Sequence, residues 1–570
     1  MKKHTKKRLK FKAVFLLLFV LAIIGFALYF GFKLISKLMY VEPTYEAFLG
    51  SNDYQIQLYD LEYNKVKEVS RGYKVTLYEK DVIQTLDKGT KDKSDDEHIT
   101  YRKIKIGEDF YLVKPENMVD KYEDSVFEKE KFVRTSVTLY KNETDPDIAG
   151  FLPKGTTLEV TGFDEIKDDG SINMYKVKAG DTEGYVFSKY LTDTLESAQA
   201  VYNENGTHDI HKDRRYSYEL YGGSPSVLDY YPYEHPTFED NPFVEEAKAY
   251  YLVGTYYVLA EVDKYINLAK RAGATAFVVD IKDGALAYKS PVAQSYSPTS
   301  FNSGMNEVDF YKAAIQKIKD AGFYVIGRIV LFNDPQYAKD HPDECISYSG
   351  GSTSWVSAYS RNAWEYNVKL ALEAVELFDF NEIQFDYVRF PEKSYYWSKA
   401  NYDFKNKYGE EKAQAIQNFL FYATDQIHKT NTYISIDVFG ECSSGYVTAY
   451  GQYWPAISNI VDVVSGMPYT DHFDRNNSNY WTKPYNTLLN WGKTAAARQT
   501  EIPTPGKVRT WITAYNTPYW GVTTIYGANE VYQQVKGLKD AGLGSGFITW
   551  NSSSNYAKYE QIAGAFSREY

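Results

Sequence analysis

The stretch FNEIQFDYVRFP, residues 380–391, decides the fold class of this 570-residue chain. In it, apolar side chains alternate with the polar side chains of Gln384 and Asp386. The apolar row is Ile383, Phe385 and Tyr387. Because successive side chains of a strand point to opposite faces, the pattern predicts a strand with its apolar row against helices and with Gln384 and Asp386 pointing inward.

Seven further β-rich runs lie around this strand, and stretches with helical periodicity separate them. The eight predicted strands are Gly254–Leu259, Ala276–Lys282, Tyr324–Leu331, Glu382–Phe390, Tyr433–Phe439, Val461–Met467, Arg509–Tyr515 and Gly546–Asn551. The predicted helices are Val262–Ala272, Asp309–Ala321, Ala363–Phe378, Glu411–Lys429 and Asn529–Ala541. Eight strands with helical crossovers predict an α/β fold, a (β/α)8 TIM barrel over residues 250–570. The alternative is a doubly wound open sheet, but its usual G-x-G-x-x-G loop is missing from the sequence.

The same alternation selects charged residues on other strands. It points Asp280 and Lys282 of the second strand, Arg328 of the third and Asp437 of the fifth towards the barrel interior. Glu441 lies just beyond the end of the fifth strand. Buried charges are costly unless they pair or meet a substrate. The charges therefore indicate either a site at the barrel mouth or a salt-bridge layer in its floor.

Clustered carboxylates at a barrel mouth are typical of glycoside hydrolysis. One carboxyl protonates the leaving oxygen, while another attacks the anomeric carbon or activates water. We expect Asp386 to be the nucleophile or transition-state carboxylate, held ionised by Arg389 on the neighbouring loop. Either Glu441 or Asp437 is the expected proton donor.

The quoted stretch also resembles a family of bacterial glycosyl hydrolases defined largely by sequence. Counterparts of the other family blocks are VVDIKD (278–283), YVIGRIVLFNDP (324–335), DVFG (437–440), MPYTDHF (467–473) and GFITWN (546–551). The resemblance runs from about residue 251 to the C-terminus. It implies a TIM barrel with Asp280, Arg328, Asp386, Asp437 and His472 in its site.

Two blocks depart from the family pattern. Asp471 precedes His472 where the family usually reads M-Y-P-S-H-Y, and the seventh strand has Trp511-Ile-Thr where W-L-Q is usual. These departures affect expected substrate contacts more than the fold.

Aromatic residues agree with a sugar substrate. They make up 17% of the chain, with 55 tyrosines, and Trp511 and Trp550 fall on barrel strands. The tyrosine-rich composition of the whole chain explains the same abundance equally well. The expected substrate-binding residues are Asp280, Lys282, Arg328, Arg389, His472, Trp511 and Trp550.

No metal or cofactor is expected. The predicted first strand lacks H-x-H, and a lone strand-end histidine, His472, is more often a binding group than a metal ligand. The two cysteines, Cys345 and Cys442, cannot form a four-thiolate site. They fall on the predicted mouth side, either as a disulfide or as two free thiols.

The N-terminus predicts a membrane anchor. Residues 1–12 form a basic tail, and the uncharged run 13–32 spans about 30 Å as a helix, the thickness of a bilayer core. No cleavage site follows, so we expect a retained single-pass helix with the C-terminal bulk extracellular. The alternative is a buried core helix. After residue 40 the chain carries 55 basic against 75 acidic residues, which argues against nucleic acid as a partner.

A repeat follows the predicted anchor. VTLY occurs at residues 75–78 and 137–140, and a Gly-Thr turn follows each copy. The second copy, with GYVFSKYL at 184–191, resembles a bacterial SH3-like domain, and the first is a degenerate version. We expect these domains at residues 50–125 and 130–195, followed by a linker over 196–249. The resemblance implies binding of cell wall or peptidoglycan, and a spacer role is the alternative.

Together these features predict a membrane-anchored extracellular glycoside hydrolase that acts on a cell-envelope or extracellular polysaccharide. The alternative is a non-catalytic glycan-binding or wall-scaffolding protein that uses the same cleft.

Overall fold

Parallel strands form a nearly closed barrel in the C-terminal half of the chain. The computed structural model describes residues 5–38, 41–200, 221–517 and 524–568. The chain divides into two units, residues 1–129 with 160–175 and residues 130–159 with 176–570. The second unit contains the barrel.

Six strands precede a split seventh strand, and one further strand follows it to complete the ring. In chain order the barrel strands are β1 Ala247–Leu252, β2 Ala276–Asp283, β3 Tyr324–Val330, β4 Glu382–Asp386, β5 Tyr433–Phe439, β6 Val463–Met467, β7 Lys507–Val508, β8 Thr510–Thr513 and β9 Gly546–Trp550. The spatial order is β7-β6-β5-β4-β3-β2-β1-β9-β8, with parallel pairing. Only Arg509 separates β7 from β8, so these two ends of the sheet act as one split strand. The predicted TIM barrel is confirmed.

Helices cover the outside of the ring. The longer ones are α1 Val262–Ala272, α2 Val308–Asp320, α3 Arg361–Phe378, α4 Lys412–His428, α5 Pro484–Gln499 and α6 Ala528–Asp540. Shorter helices are Tyr256–Leu259, Pro291–Tyr296, Pro298–Asn302, Tyr337–Asp340, Ser394–Lys399, Trp454–Ser458, Asn479–Thr482 and Tyr556–Ile562. A two-stranded hairpin, Cys345–Tyr348 with Gly351–Val356, and the short strand Ala285–Leu286 complete this part. The five predicted helices match α1, α2, α3, α4 and α6 to within two residues at each end.

The prediction of the first strand, Gly254–Leu259, is wrong. The strand is β1, and residues Tyr256–Leu259 form a short helix. Tyr257 is 84% exposed, whereas every residue of β1 except Lys248 is buried. The β-branched and aromatic residues of Gly254–Leu259 suggested a strand. The strand is instead AKAYYL, residues 247–252, whose small alanine side chains fit the crowded interior of the barrel.

Close approach at one glycine allows the first and last strands to pair. A Cβ at Gly546 would lie 1.9 Å from the Ala247 carbonyl oxygen, and its φ of +98° lies in the region that favours glycine. Gly546 therefore permits the β1–β9 contact that closes the ring.

Small β-sheets form the N-terminal part. The first has seven strands, Thr44–Leu49, Gln55–Tyr59, Lys65–Ser70, Lys74–Leu86, Glu97–Ile106, Asp109–Val113 and Met118–Val119. The second also has seven, Glu130–Val133, Val137–Tyr140, Ile148–Leu152, Thr157–Phe163, Met174–Ala179, Thr182–Phe187 and Leu191–Thr192. Each sheet contains one copy of the VTLY repeat, which confirms two small all-β regions.

A single long helix, Thr5–Leu38, precedes the first sheet. Its segment Phe11–Lys33 is long and apolar enough to cross a membrane, and a signal sequence near the N-terminus would have the same character. None of this segment is buried. The alternative of a buried core helix is therefore wrong.

Part of the second sheet packs on barrel helix α4. The Tyr190 hydroxyl donates a hydrogen bond of 2.8 Å to Asp425, and the Tyr140 and Tyr422 rings stack with centroids 6.0 Å apart. Leu195–Gln199 forms a short helix after this sheet, and Arg134 binds Asp229 at 2.9 Å in the segment that leads to the barrel. The second sheet is thus braced against the barrel wall.

Replacing Arg509 with Met should destabilise the barrel by about 3–5 kcal/mol, because the fully buried Glu382 carboxylate would lose its partner at 2.8 Å. All nine tryptophans lie after residue 350. Urea unfolding followed by tryptophan fluorescence therefore reports on the barrel. The control is Lys536→Met, which breaks an exposed pair with Asp540 and should leave the free energy of unfolding nearly unchanged. Equal costs for the two variants would contradict the expectation.

Candidate active site

Arg328 gathers carboxylates from several strands at the carboxyl end of the barrel. Its Nη1 atom lies 2.8 Å from Asp280 Oδ1 and 3.2 Å from Asp283 Oδ2, and its Nη2 atom lies 2.5 Å from Asp386 Oδ2. Asp437 Oδ2 lies 3.7 Å from Arg328 Nε. The guanidinium is buried, and together with these four carboxyl groups it forms a cluster that we name the arginine cluster.

Strand register explains why these side chains meet. Asp280 on β2 is the register partner of Arg328 on β3. Arg328 is in turn the partner of Gln384 on β4, and Asp386 lies two residues farther along on the same face. The predicted inward orientation of Asp280, Arg328, Asp386 and Asp437 agrees with this arrangement.

Lys282 does not join the cluster, contrary to the prediction. The register of β2 against β3 shifts between Asp280 and Lys282, so that the alternation slips by one residue. The Lys282 ammonium instead lies 2.6 Å from both Asp334 and Asn367, and Asn367 belongs to helix α3. The slip turns Asp283 inward, and sequence reasoning missed this residue because alternation alone cannot show a bulge.

Arg389 also lies elsewhere than expected. Its guanidinium donates to the Phe390 carbonyl and to Glu392, and it packs 4.1 Å from the centre of the Phe439 ring. Arg328, rather than Arg389, neutralises Asp386. Burial lowers the pKa of Arg389.

The fourth strand ends earlier than predicted. It stops at Asp386 because Tyr387 has a φ of +55°, which is incompatible with extended backbone. Tyr387 therefore leaves the predicted helix-facing row and lines the open end of the barrel.

A cleft of about 1190 Å³ opens above the arginine cluster. Asp283, Arg328, Asp386 and Glu441 line it, as do Trp511, Trp550 and His472. Glu392 and Phe439 are further lining residues that the sequence did not indicate. The accessible carboxyl groups of the site therefore come from β2, β4 and the loops that follow β4 and β5.

Glu441 and Asp437 occupy different environments. Glu441 is exposed in the turn Gly440–Ser443, where its carboxylate accepts hydrogen bonds of 2.7 Å from Tyr446 and 2.9 Å from Tyr450. Asp437 is buried and does not line the cleft. Burial, together with the nearby Asp386 charge, raises the pKa of Asp437 well above its usual value.

Two tryptophans connect the cleft to the carboxyl groups beneath it. Trp511 donates its indole N–H to Asp437 Oδ1 at 2.7 Å. The Trp550 ring lies 5.5 Å from the Arg328 guanidinium, and its centroid is 5.5 Å from that of Trp511. His472 is exposed at the rim, with its ring 5.3 Å from that of Tyr469. Trp550 thus offers a ring beside Arg328, which in turn contacts Asp386.

The two cysteines are free and buried. The disulfide alternative is therefore wrong. Among the described residues no group of three or more His, Cys, Asp or Glu side chains has an arrangement that could hold a metal ion.

The sequence of the barrel also matches a known family. Residues 249–556, more than half of the chain, match a family model described as "Putative glycosyl hydrolase domain". The chain belongs to this family. Its barrel is a glycoside hydrolase domain with a carbohydrate substrate, as the resemblance of the 380–391 stretch predicted.

Several solved structures are similar to parts of this glycosyl hydrolase. A hypothetical protein from Ruminiclostridium thermocellum ATCC 27405 is 32% identical over 33% of this chain and 96% of its own, with a TM-score of 0.28. The PgaB (BpsB) glycoside hydrolase domain from Bordetella bronchiseptica is 11% identical over 57% of this chain and 100% of its own, with a TM-score of 0.41. The spore cortex-lytic enzyme SleL from Bacillus megaterium QM B1551 is 11% identical over 57% and 75%, with a TM-score of 0.36. No curated protein matches the chain.

Asp280 should make the barrel less stable as the pH rises. Burial raises its pKa from 3.8 to about 6, so between these values the folded state keeps a proton that the unfolded chain has lost. Relative to Asp280→Asn, the wild type should therefore lose roughly 3 kcal/mol of unfolding free energy between pH 3.5 and 7. Urea unfolding of both proteins across this range measures the difference. A difference that stays constant or grows with pH would contradict the expectation.

Proposed function

We propose that this glycosyl hydrolase is anchored in the membrane by its N-terminal helix and cleaves a cell-envelope or extracellular polysaccharide. The observation that carries the proposal is the position of Asp386, which lines the open cleft while Arg328 holds its carboxylate at 2.5 Å. A carboxylate fixed below bound sugar is what glycoside hydrolysis requires.

Asp386 acts on the anomeric carbon. The carboxylate oxygen that does not contact Arg328 accepts a hydrogen bond of 2.6 Å from the Tyr387 backbone N–H. Both oxygens of the carboxylate are therefore held in a fixed orientation. In this position it attacks the anomeric carbon or stabilises the positive charge that develops there. Trp550, beside Arg328, stacks on the sugar ring and places the scissile bond over Asp386.

Glu441 donates the proton to the leaving oxygen. A general acid must reach the atom that it protonates, and of the two expected donors only Glu441 lines the cleft. Asp437 acts from below. Burial and the nearby Asp386 charge raise its pKa and favour its neutral form, which reduces the negative charge beside Asp386.

The N-terminal segment supports an extracellular location. The apolar helix follows a tail rich in lysine and arginine, and such tails stay in the cytoplasm. Retention of this helix would hold the enzyme at the outer surface of the membrane, within reach of envelope glycans.

The two small sheets serve as SH3-like domains that bind cell wall or peptidoglycan. Tyr190 of the GYVFSKYL segment is buried against Phe421, with ring centroids 5.2 Å apart. Contact with the wall therefore falls to surfaces away from this aromatic face. One such surface is the groove beside Tyr45 and Tyr73 of the first sheet, where both rings are exposed.

Asp386→Asn should abolish hydrolysis while keeping glycan binding. Removal of the charged carboxylate is expected to lower kcat at least 1,000-fold, and the Kd for the same glycan should change less than about threefold. Full-length protein in detergent micelles is incubated with purified envelope glycans, and released oligosaccharides are quantified. The control is Asp320→Asn at the exposed end of α2. Binding without release of oligosaccharide by the wild type on every glycan would favour a non-catalytic binder.

Glu441→Gln and Asp437→Asn distinguish the proton donor from its neighbour. Loss of the general acid typically costs 10²–10⁴-fold in rate, so Glu441→Gln should lose that much on a glycoside with a poor leaving group. It should lose far less on a nitrophenyl glycoside, which needs no protonation. Asp437→Asn should slow both substrates by a similar factor. The opposite pattern would assign the donor role to Asp437.

A further inference from the structure

The cleft extends well beyond the arginine cluster. Its volume of about 1190 Å³ exceeds the roughly 300–1,000 Å³ of ordinary small-molecule pockets. The additional length is lined by the loop that follows β6 and by one face of helix α5. A polymer that lies across Asp386 would therefore place further sugar units along this arm of the cleft.

Charge changes sign along the cleft. Near the centre the lining includes Asp283, Asp386, Glu392 and Glu441, whereas between residues 467 and 494 it contains no carboxylate. The polar lining of this arm is His472, Arg475, Asn477, Asn479, Lys483, Asn486, Thr487, Asn490 and Thr494. Since the chain beyond residue 40 is strongly acidic, a cationic arm stands out from the rest of the surface.

Lys483 is the cation of this arm that is free to bind a ligand. It is exposed immediately before α5, and among the described residues no carboxylate lies within 4 Å of its ammonium group. An unpaired ammonium in a cleft attracts anionic groups, and the cleft walls strengthen this field relative to open water.

An aromatic pair lies on the same loop. The rings of Phe473 and Tyr480 are nearly parallel, at 9° with centroids 5.2 Å apart, and both line the cleft. Phe473 is 40% exposed. An exposed ring face gives the apolar side of a sugar ring a surface on which to stack.

We propose that Phe473, Tyr480 and Lys483 form a distal subsite for a sugar unit that carries an anionic group, a carboxylate or a phosphate. The substrate is accordingly an acidic glycan rather than a neutral one. The subsite rests on the proposed function in one respect, namely that the cleft holds a polysaccharide. The asparagine amides of the arm complete the site by hydrogen bonding to sugar hydroxyl groups.

Equilibrium binding tests the subsite apart from catalysis. Full-length Asp386→Asn protein in detergent micelles is titrated with three labelled oligomers of matched length. They are one with alternating glucuronic acid and N-acetylglucosamine, one polyol phosphate chain with sugar substituents, and one neutral N-acetylglucosamine oligomer. At least one acidic oligomer should bind about tenfold more tightly than the neutral oligomer. The two acidic oligomers distinguish a carboxylate from a phosphate.

Charge variants identify the residue responsible. In the Asp386→Asn background, Lys483→Glu should weaken acidic-oligomer binding about tenfold and change neutral-oligomer binding less than twofold. Lys483→Gln should have a smaller effect in the same direction. Lys312→Glu makes the same charge change at an exposed position of α2 and should alter neither affinity. Thermal melting of each variant shows whether it folds.

The results separate the subsite from the hydrolase. If the wild type cleaves a glycan but Lys483→Glu and Lys483→Gln both leave acidic-oligomer binding unchanged, the subsite is wrong and the hydrolase stands. If Lys483 governs acidic-oligomer binding while no glycan is cleaved, the subsite stands and the proposed mechanism falls. Failure of both acidic oligomers to bind, or equal weakening by Lys312→Glu, also overturns the subsite.

Discussion

The buried guanidinium of Arg328 is the constraint on which the site depends. Removing a cation from water at the centre of a barrel costs several kcal/mol unless charged partners compensate. Here the partners are supplied by separate strands, because Asp280, Asp386 and Asp437 all lie within 4 Å of one guanidinium. Each ion pair therefore also fixes a strand end, so that the electrostatics of the site and the shape of the mouth are set by the same contacts.

One cation cannot compensate several ionised carboxylates equally. The pKa values rise at the most buried carboxyl groups. Burial raises the pKa of Asp280 to about 6 and that of Asp437 well above its usual range. Asp386 shares Arg328 with these two neighbours and, unlike them, lines the cleft. The cluster thus separates the carboxyl group that lines the cleft from two that do not line it and whose neutral forms are favoured by burial, an arrangement suited to carboxylate chemistry on a sugar.

Part of the second small sheet supports the barrel within the same unit. Its aromatic side chains, including Tyr140 and Tyr190, pack on α4, and Arg134 adds a buried ion pair to Asp229. Aromatic residues that could have bound an external ligand are instead used against the barrel. This brace holds the outer wall behind β4 and β5, the strands that supply Asp386 and Asp437.

Elements with strong periodicity could be predicted from the sequence alone. Alternation in EIQFD and ISIDVF correctly predicted that Asp386 and Asp437 point inward, and the bounds of helices such as Val262–Ala272 were also predicted correctly. Both succeeded because a half-buried strand and an amphipathic helix each repeat their apolar residues with a characteristic period. The residues that depart from that period became apparent in the folded structure. The bulge after Asp280 exchanges Lys282 for Asp283, the positive φ of Tyr387 ends β4 early, and Arg328 rather than Arg389 reaches Asp386. The bulge and the contact between Arg328 and Asp386 depend on strands far apart in the chain, and local sequence patterns do not predict such contacts.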